Sequence, residues 1–299
     1  MLPSETEDVS PLWLVKSIAA IVGLSLVCGY LTLCVYFYMG QWQLVLHPSH
    51  TAKPSTLGET LHFAPDDSAI PQLTGLWIPA DPGARYSNLT LLCLPSGDGS
   101  LADLDPTLQT LHSLGLNLFA FDYRGYGQSA AHHPNQQNMS QDAASAWQYL
   151  TISRGVSANQ ILLYGTGVGA SLATQLATQH PEIPALILES PKGDLLTDIL
   201  QDPRSNGVPV RLLFHDRFPL TAPLTTLKTP KLLISHDSTG HAPETFRTAA
   251  DPKTTLELSS EGTTQSLTDI QALYLQSLNR FLDQYLPHQT QQLLPSPKP

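Results

Sequence analysis

A series of short, uniformly apolar runs constrains this chain more than any other feature. Residues 89–94 read Leu-Thr-Leu-Leu-Cys-Leu, and 118–121, 161–164 and 185–188 are apolar with almost no interruption. A strand with one face in water alternates polar and apolar residues. These runs do not, so each needs cover on both faces. Segments with helical spacing lie between them. Leu108, Leu111 and Leu114 mark a helix over 106–114, with Gly115 as its stop. A second helix is expected over 140–152, with Ser140 as cap and Ala143, Trp147 and Leu150 on one face. A third runs through 165–180, where Gly169, Ala170, Ala173 and Ala177 permit close packing beside Leu172 and Leu176. Residues 61–64 and 73–78 suit a hairpin. Further strands are expected at 231–235 and 255–258, and a long terminal helix at 266–286. Strands alternating with helices predict an α/β fold: a mostly parallel, doubly wound sheet with helices on both faces. Short helical patterns between 191 and 232 suggest a small lid.

Residues 17–39 form a second constraint. This stretch carries no charge, and about 20 apolar residues suffice to cross a hydrocarbon core of about 30 Å. Tyrosines and Phe37 near its end, with Trp42 just beyond, fit an interfacial aromatic belt. The expected layout is a tail over 1–16, a single transmembrane helix over 17–39, a tether over 40–57, one α/β domain over 58–286 and a disordered tail over 287–299. Lys16 abuts the N-terminal end of the span and Lys53 is the first basic residue beyond it. By the positive-inside rule this places the C-terminal domain outside the cytoplasm. Sequons at Asn88 and Asn138 matter only in a eukaryotic secretory route.

Composition narrows the function classes. Hydrophobic residues make up 41% and charged residues 13%, which suits a packed core. The net charge of -10 opposes nucleic-acid binding and leaves no polybasic membrane patch. Cys28, Cys34 and Cys93 form neither a disulfide framework nor a metal pattern. His236 and His241 share a loop with Asp237, but no third ligand stands at a recognisable spacing, so neither a metal nor another cofactor is expected.

Four segments resemble the α/β-hydrolase family. They resemble in particular its membrane-anchored serine-hydrolase branch, related to serine aminopeptidases and acyl-protein thioesterases. They are Leu-Phe-Ala-Phe-Asp-Tyr-Arg-Gly-Tyr-Gly-Gln-Ser at 118–129, Ile-Leu-Leu-Tyr-Gly-Thr-Gly-Val-Gly-Ala at 161–170, Ala-Leu-Ile-Leu-Glu-Ser-Pro at 185–191, and the anchor followed by 44–50 and 76–80. The run Asp122 to Gly127 is the most specific.

The resemblance implies acyl-transfer chemistry: a nucleophile on a sharp strand-to-helix turn, a histidine base, an acid to orient it, and N–H donors for the oxyanion. The residues at those positions depart from the pattern. The elbow Gly-x-Ser-x-Gly reads Gly165-Thr166-Gly167-Val168-Gly169, which puts Gly167 where the nucleophile belongs. Thr239 or Gly240 falls at the acid position and Gln265 at the base position. The oxyanion loop reads Pro95-Ser96-Gly97-Asp98-Gly99; proline removes a donor and Asp98 brings the wrong sign of charge. A degenerate triad is therefore expected, and with it a pseudo-hydrolase. Ser96, Gly97 and Val168 remain candidates for a vestigial oxyanion or anion site, since a helix opening near Val168 presents free N–H groups. Thr166, Ser171 and Asp194 are the candidates for rescuing activity. Strand-end packing, helix packing and a helix-start charge account for them better. Two other readings stay open: an active esterase, thioesterase or peptidase with a displaced nucleophile, and a module binding a lipid, an acyl group or a protein.

Overall fold

The computed structural model describes residues 11–50, 55–65, 70, 72–236, 244–258 and 267–286. The chain divides into two compact units. One is the chain up to Leu44 together with Leu196–His215, and the other is Val45–Leu195 with the chain from Asp216 onward.

The first unit is built on α1 (Pro11–Gly40), which continues into a short 3-10 turn at Gln41–Leu44. The segment Leu196–His215 adds α5 (Leu196–Gln201) and α6 (Val210–Leu213). Helix α1 is long and apolar enough to cross a membrane, and none of its most apolar 18-residue window is buried.

The second unit is the α/β-hydrolase fold. Its strands are β1 (His47–Pro48), β2 (Glu59–Phe63), β3 (Leu73–Ile78), β4 (Tyr86–Leu94), β5 (Asp98–Gly99), β6 (Leu116–Asp122), β7 (Ile161–Thr166), β8 (Leu186–Glu189), β9 (Lys231–Ser235) and β10 (Lys253–Glu257). Its helices are α2 (Asp105–His112), α3 (Gln136–Gln148), α4 (Gly169–Gln179), α7 (Thr221–Leu224), α8 (Glu244–Thr248) and α9 (Leu267–Tyr285). The main sheet has eight strands in the order β2-β3-β6-β4-β7-β8-β9-β10. Strand β3 runs antiparallel to both its neighbours, and every other pairing is parallel.

The uniform apolar runs are explained by cover on both faces. Leu91, Cys93, Leu118, Leu162 and Ile187 point into one cluster with Leu108 and Leu111 of α2 and Leu278 and Phe281 of α9. On the other face Phe119 stacks near Phe63 and Tyr149, with ring centroids 5.7 and 5.4 Å away. Each fully buried leucine contributes roughly 1.5–3 kcal/mol, so these strands alone supply much of the driving force.

Two local expectations are corrected. Helix α3 begins earlier than residue 140, because Asn135 is its cap: the Asn135 side chain accepts the Asn138 N–H at 2.8 Å. Ser140 sits inside the helix and bonds Gln175 instead, at 3.2 Å. The stretch 40–57 carries more structure than a tether. Strand β1 pairs in parallel with β5, and Gly127 N–H donates to Ser49 O at 2.8 Å.

Candidate functional site

Parallel sheets place their sites beyond the carboxyl ends of the strands, where the chain turns into a helix. Here β7 ends at Thr166, Gly167 forms the apex at φ +55°, and α4 opens at Gly169. A non-glycine residue is strained at that φ. The apex carbonyl is held twice, by Ala170 N–H at 3.2 Å and Lys192 N–H at 2.9 Å. Ser96 stands where a side chain on the apex would point: a Cβ on residue 167 would lie 2.7 Å from Ser96 Cβ. Leu46 and Val168, both buried, close on Gly97 from the other sides. Ser96, Gly97 and Val168 are thus brought together around the apex, with the space between them taken up by packing.

The loop over this turn is tied down by its own polar groups. His47 N–H donates to Gly97 O at 2.7 Å, and Tyr126 O–H donates to the same oxygen at 3.1 Å. Asp98 is paired with His47 at 2.7 Å and with Lys192 at 3.5 Å, which offsets its charge. Ser96 Oγ donates to Asp98 O at 3.1 Å.

The turn after β6 is structural. The Asp122 carboxylate accepts from Leu101 N–H at 2.7 Å and Gln128 N–H at 3.3 Å, and Ser129 Oγ donates to its backbone oxygen at 2.6 Å. A Cβ on Gly127, itself at φ +47°, would run into that carboxylate. Arg124 binds the fully buried Asp142 through its backbone N–H at 2.9 Å and its Nε at 2.7 Å.

The candidate rescuers fall into place as packing and capping groups. Thr166 ends β7. Ser171 Oγ is buried and donates to Pro219 O at 2.7 Å. Asp194 is exposed, but it caps α7 and not the helix that follows it, accepting from Thr221 N–H at 2.8 Å. Asp237, Thr239, Gly240, His241 and Gln265 lie outside the described residues. Among the described residues no cluster of three or more metal-ligating side chains occurs.

One cluster was missed by sequence reasoning. His236, considered from sequence only as a metal ligand, bonds Glu189 through Nε2 at 2.8 Å. Tyr164 and Tyr274 donate to the other Glu189 oxygen at 2.9 and 2.6 Å. Burial pushes the Glu189 carboxyl up, but the bonds from His236, Tyr274 and Tyr164 outweigh it and hold it below its ordinary value. The Glu189 bond raises the His236 imidazole against the opposing effect of burial. A mostly apolar pocket of about 280 Å3 opens here between α2 and α9, lined by Thr107, Thr110, Glu189, His236, Ile270 and Tyr274 among others. The signal in sequence was Glu189, a carboxylate at the end of the otherwise apolar run 185–188.

Comparison with known proteins agrees with this geometry. Residues 99–279 match the family described as serine aminopeptidase, S33. An uncharacterised protein of Mycobacterium tuberculosis is 29% identical over 231 residues, covering 73% of this chain and 79% of that protein. The human alpha/beta hydrolase domain-containing protein 17C is 29% identical over 222 residues, covering 71% of this chain but only 63% of its own length. A Pyrococcus furiosus esterase superposes with a TM-score of 0.59 at 16% identity, covering 81% of this chain and 99% of the esterase. An alpha-beta hydrolase from Vibrio vulnificus superposes at 0.53 with 20% identity over 71% of this chain and 76% of its own. These structural likenesses show the fold. The family match spans more than half of the chain, and the chain belongs to the serine aminopeptidase S33 family of α/β-hydrolase-fold proteins.

Proposed function

We propose that this chain is a membrane-anchored, non-catalytic member of its family, a pseudo-hydrolase that acts by binding. One observation carries the reading: the apex between β7 and α4 is Gly167, and Ser96 fills the space its missing side chain would need. Acyl transfer requires a nucleophile in reach of a base and a site about 3 Å from the oxyanion donors. Glycine supplies no nucleophile, and Ser96 stands against the position a side chain there would take. By the family resemblance Thr239 or Gly240 falls at the acid position and Gln265 at the base position, which supports the same reading. The apolar, unburied surface of α1 supports the anchor.

A second reading keeps an active hydrolase with Ser96 as displaced nucleophile. It is favoured by the neighbouring His47–Asp98 pair. Against it, the Ser96 hydroxyl is committed to the Asp98 carbonyl, and no histidine contacts it among the described residues. A fluorophosphonate probe applied to the detergent-solubilised full chain separates the two. The pseudo-hydrolase gives no covalent adduct under conditions that label an active esterase to completion. An adduct that maps to Ser96, or to any other serine, overturns the proposal.

A further inference from the structure

The unit that contains α1 holds a crevice of about 260 Å3 at the C-terminal end of that helix. Leu33, Tyr36, Phe37 and Val208 supply its apolar lining, and Gln43 and Arg204 supply polar groups. Its walls are fixed by Gln41, which is almost fully buried. Gln41 Nε2 donates to Tyr38 O at 2.8 Å and bonds His215 Nδ1 at 2.7 Å, and its Oε1 accepts the His215 N–H at 2.9 Å. The His215 ring lies 4.9 Å from that of Tyr38. One side chain therefore clamps Leu196–His215 to the end of α1, so the crevice is built into the fold and is not a gap between loose segments.

The crevice opens onto the medium that surrounds the helix. Leu33 and Tyr36 line it and also belong to the outer surface of α1, at 46% and 76% exposure. About 20 residues cross a hydrocarbon core, so in a 30-residue helix the last two turns fall at the interface. Tyr36 and Tyr38 suit that level. Leu212 on α6, in the same unit, is 81% exposed, an apolar side chain with no protein cover. A molecule apolar along most of its length and polar at one end fits such a position. Arg204 on the wall is bonded at 2.6 Å to Asp202, so a carboxylate stands next to the guanidinium that lines the crevice. A guanidinium–carboxylate pair is complementary to a phosphate beside an ammonium.

We infer that this crevice binds a zwitterionic phospholipid of the leaflet at the C-terminal end of α1. An acyl chain lies between Leu33, Phe37 and Val208, and the headgroup lies against the Arg204–Asp202 pair. The inference rests on the membrane-anchor reading proposed above. It is tested on the full chain reconstituted in phosphatidylcholine vesicles that contain a trace of phosphatidylcholine with a diazirine on one acyl chain. After irradiation, adducts are mapped by mass spectrometry. Adducts are expected on the outer face of α1 and also on 204–213. Val208→Trp, or Leu33→Trp if the first variant does not fold, fills the crevice and lowers the 204–213 adducts severalfold while leaving those on 18–31 unchanged. Adducts confined to 12–32, or 204–213 adducts that persist in the tryptophan variant, overturn the inference and leave the anchor standing. Absence of adducts from all of α1 refutes the anchor itself, and the lipid site falls with it. Heavier crevice labelling from a phosphatidylglycerol probe than from phosphatidylcholine refutes the zwitterionic assignment.

Discussion

Placing a side chain on the apex tests the site most directly. In Gly167→Ala or Gly167→Ser the new Cβ meets two costs. The backbone stands at φ +55°, which costs an L-residue about 1–2 kcal/mol. The Cβ also falls 2.7 Å from Ser96 Cβ, closer than van der Waals contact allows, and relieving such overpacking costs about 1–3 kcal/mol. Each variant should lose about 2–5 kcal/mol, or about 4–20 °C in Tm for a domain of this size. Alanine and serine should lose similar amounts, because both costs arise at Cβ. Ser96→Gly removes the steric cost and leaves the backbone cost. In a double-mutant cycle of Gly167→Ala with Ser96→Gly, the coupling should therefore be about 1–3 kcal/mol in favour of the double variant. Thermal unfolding of the four full-length proteins in one detergent reads all of this, and Gly167→Ser is expected to show no ester hydrolysis. A neutral Gly167→Ala, or a coupling indistinguishable from zero, refutes the packing argument. Ester hydrolysis by Gly167→Ser refutes the functional one.

Other substitutions probe the rest of the scaffold. Arg124→Ala removes the guanidinium from the carboxylate of Asp142, which is fully buried and keeps only the backbone N–H of residue 124, and should cost about 3–5 kcal/mol in denaturant unfolding; Arg124→Met with Asp142→Leu removes the buried charge and should recover part of it. Lys231 is buried and donates through Nζ to Leu227 O at 2.9 Å and Ala250 O at 2.8 Å, so Lys231→Met should lower stability by about 1–3 kcal/mol through unpaired carbonyls. The Glu189–His236 pair predicts a pH window. The depressed carboxyl contributes stability above its unfolded pKa and loses it as pH falls through the folded value. The elevated imidazole contributes below its unfolded pKa and loses it as pH rises through the folded value. The Tm gap between wild type and Glu189→Gln should therefore be widest between about pH 4.3 and 6.5, the unfolded reference values, and shrink on either side; a gap that is flat with pH contradicts the pairing.

The sheet was legible because two-sided burial leaves a direct mark. Runs such as 89–94 and 161–164 have no polar face, and β4 and β7 sit in the middle of the sheet. The elbow was legible because a glycine-rich stretch between a strand and a helix fixes its own register, and Gly167 stands at the apex. Other features left no periodic trace. Strand β1 has two residues, too few to show a pattern. Asn135 caps α3 ahead of its first buried apolar residue, Met139, so the apolar spacing pointed to a later start. The Glu189–His236 bond joins residues 47 apart in sequence. Adjacency of β8 and β9 decides that contact, and spacing along the chain cannot.

Taken residue by residue, the match to the family pattern divides by physical role. Asp122, Arg124 and Gly127 fit the pattern: Asp122 holds two backbone N–H groups, Gly127 leaves room for that carboxylate, and Arg124 pairs with the buried Asp142. Gly167, at the apex, is by contrast a position where the family resemblance expects a side chain that serves the reaction alone. On the non-catalytic reading this division is expected, because removing a turn-holding group costs stability at once, whereas a triad already lacking one member gives little for keeping the others. Gly167 also interlocks with its neighbours. With no Cβ at the apex, Ser96 packs against it and Leu46 closes over Gly97. On that reading Gly167→Ser meets the strain first and gains no rate, which is the outcome that thermal unfolding and an ester-hydrolysis assay of the variant read.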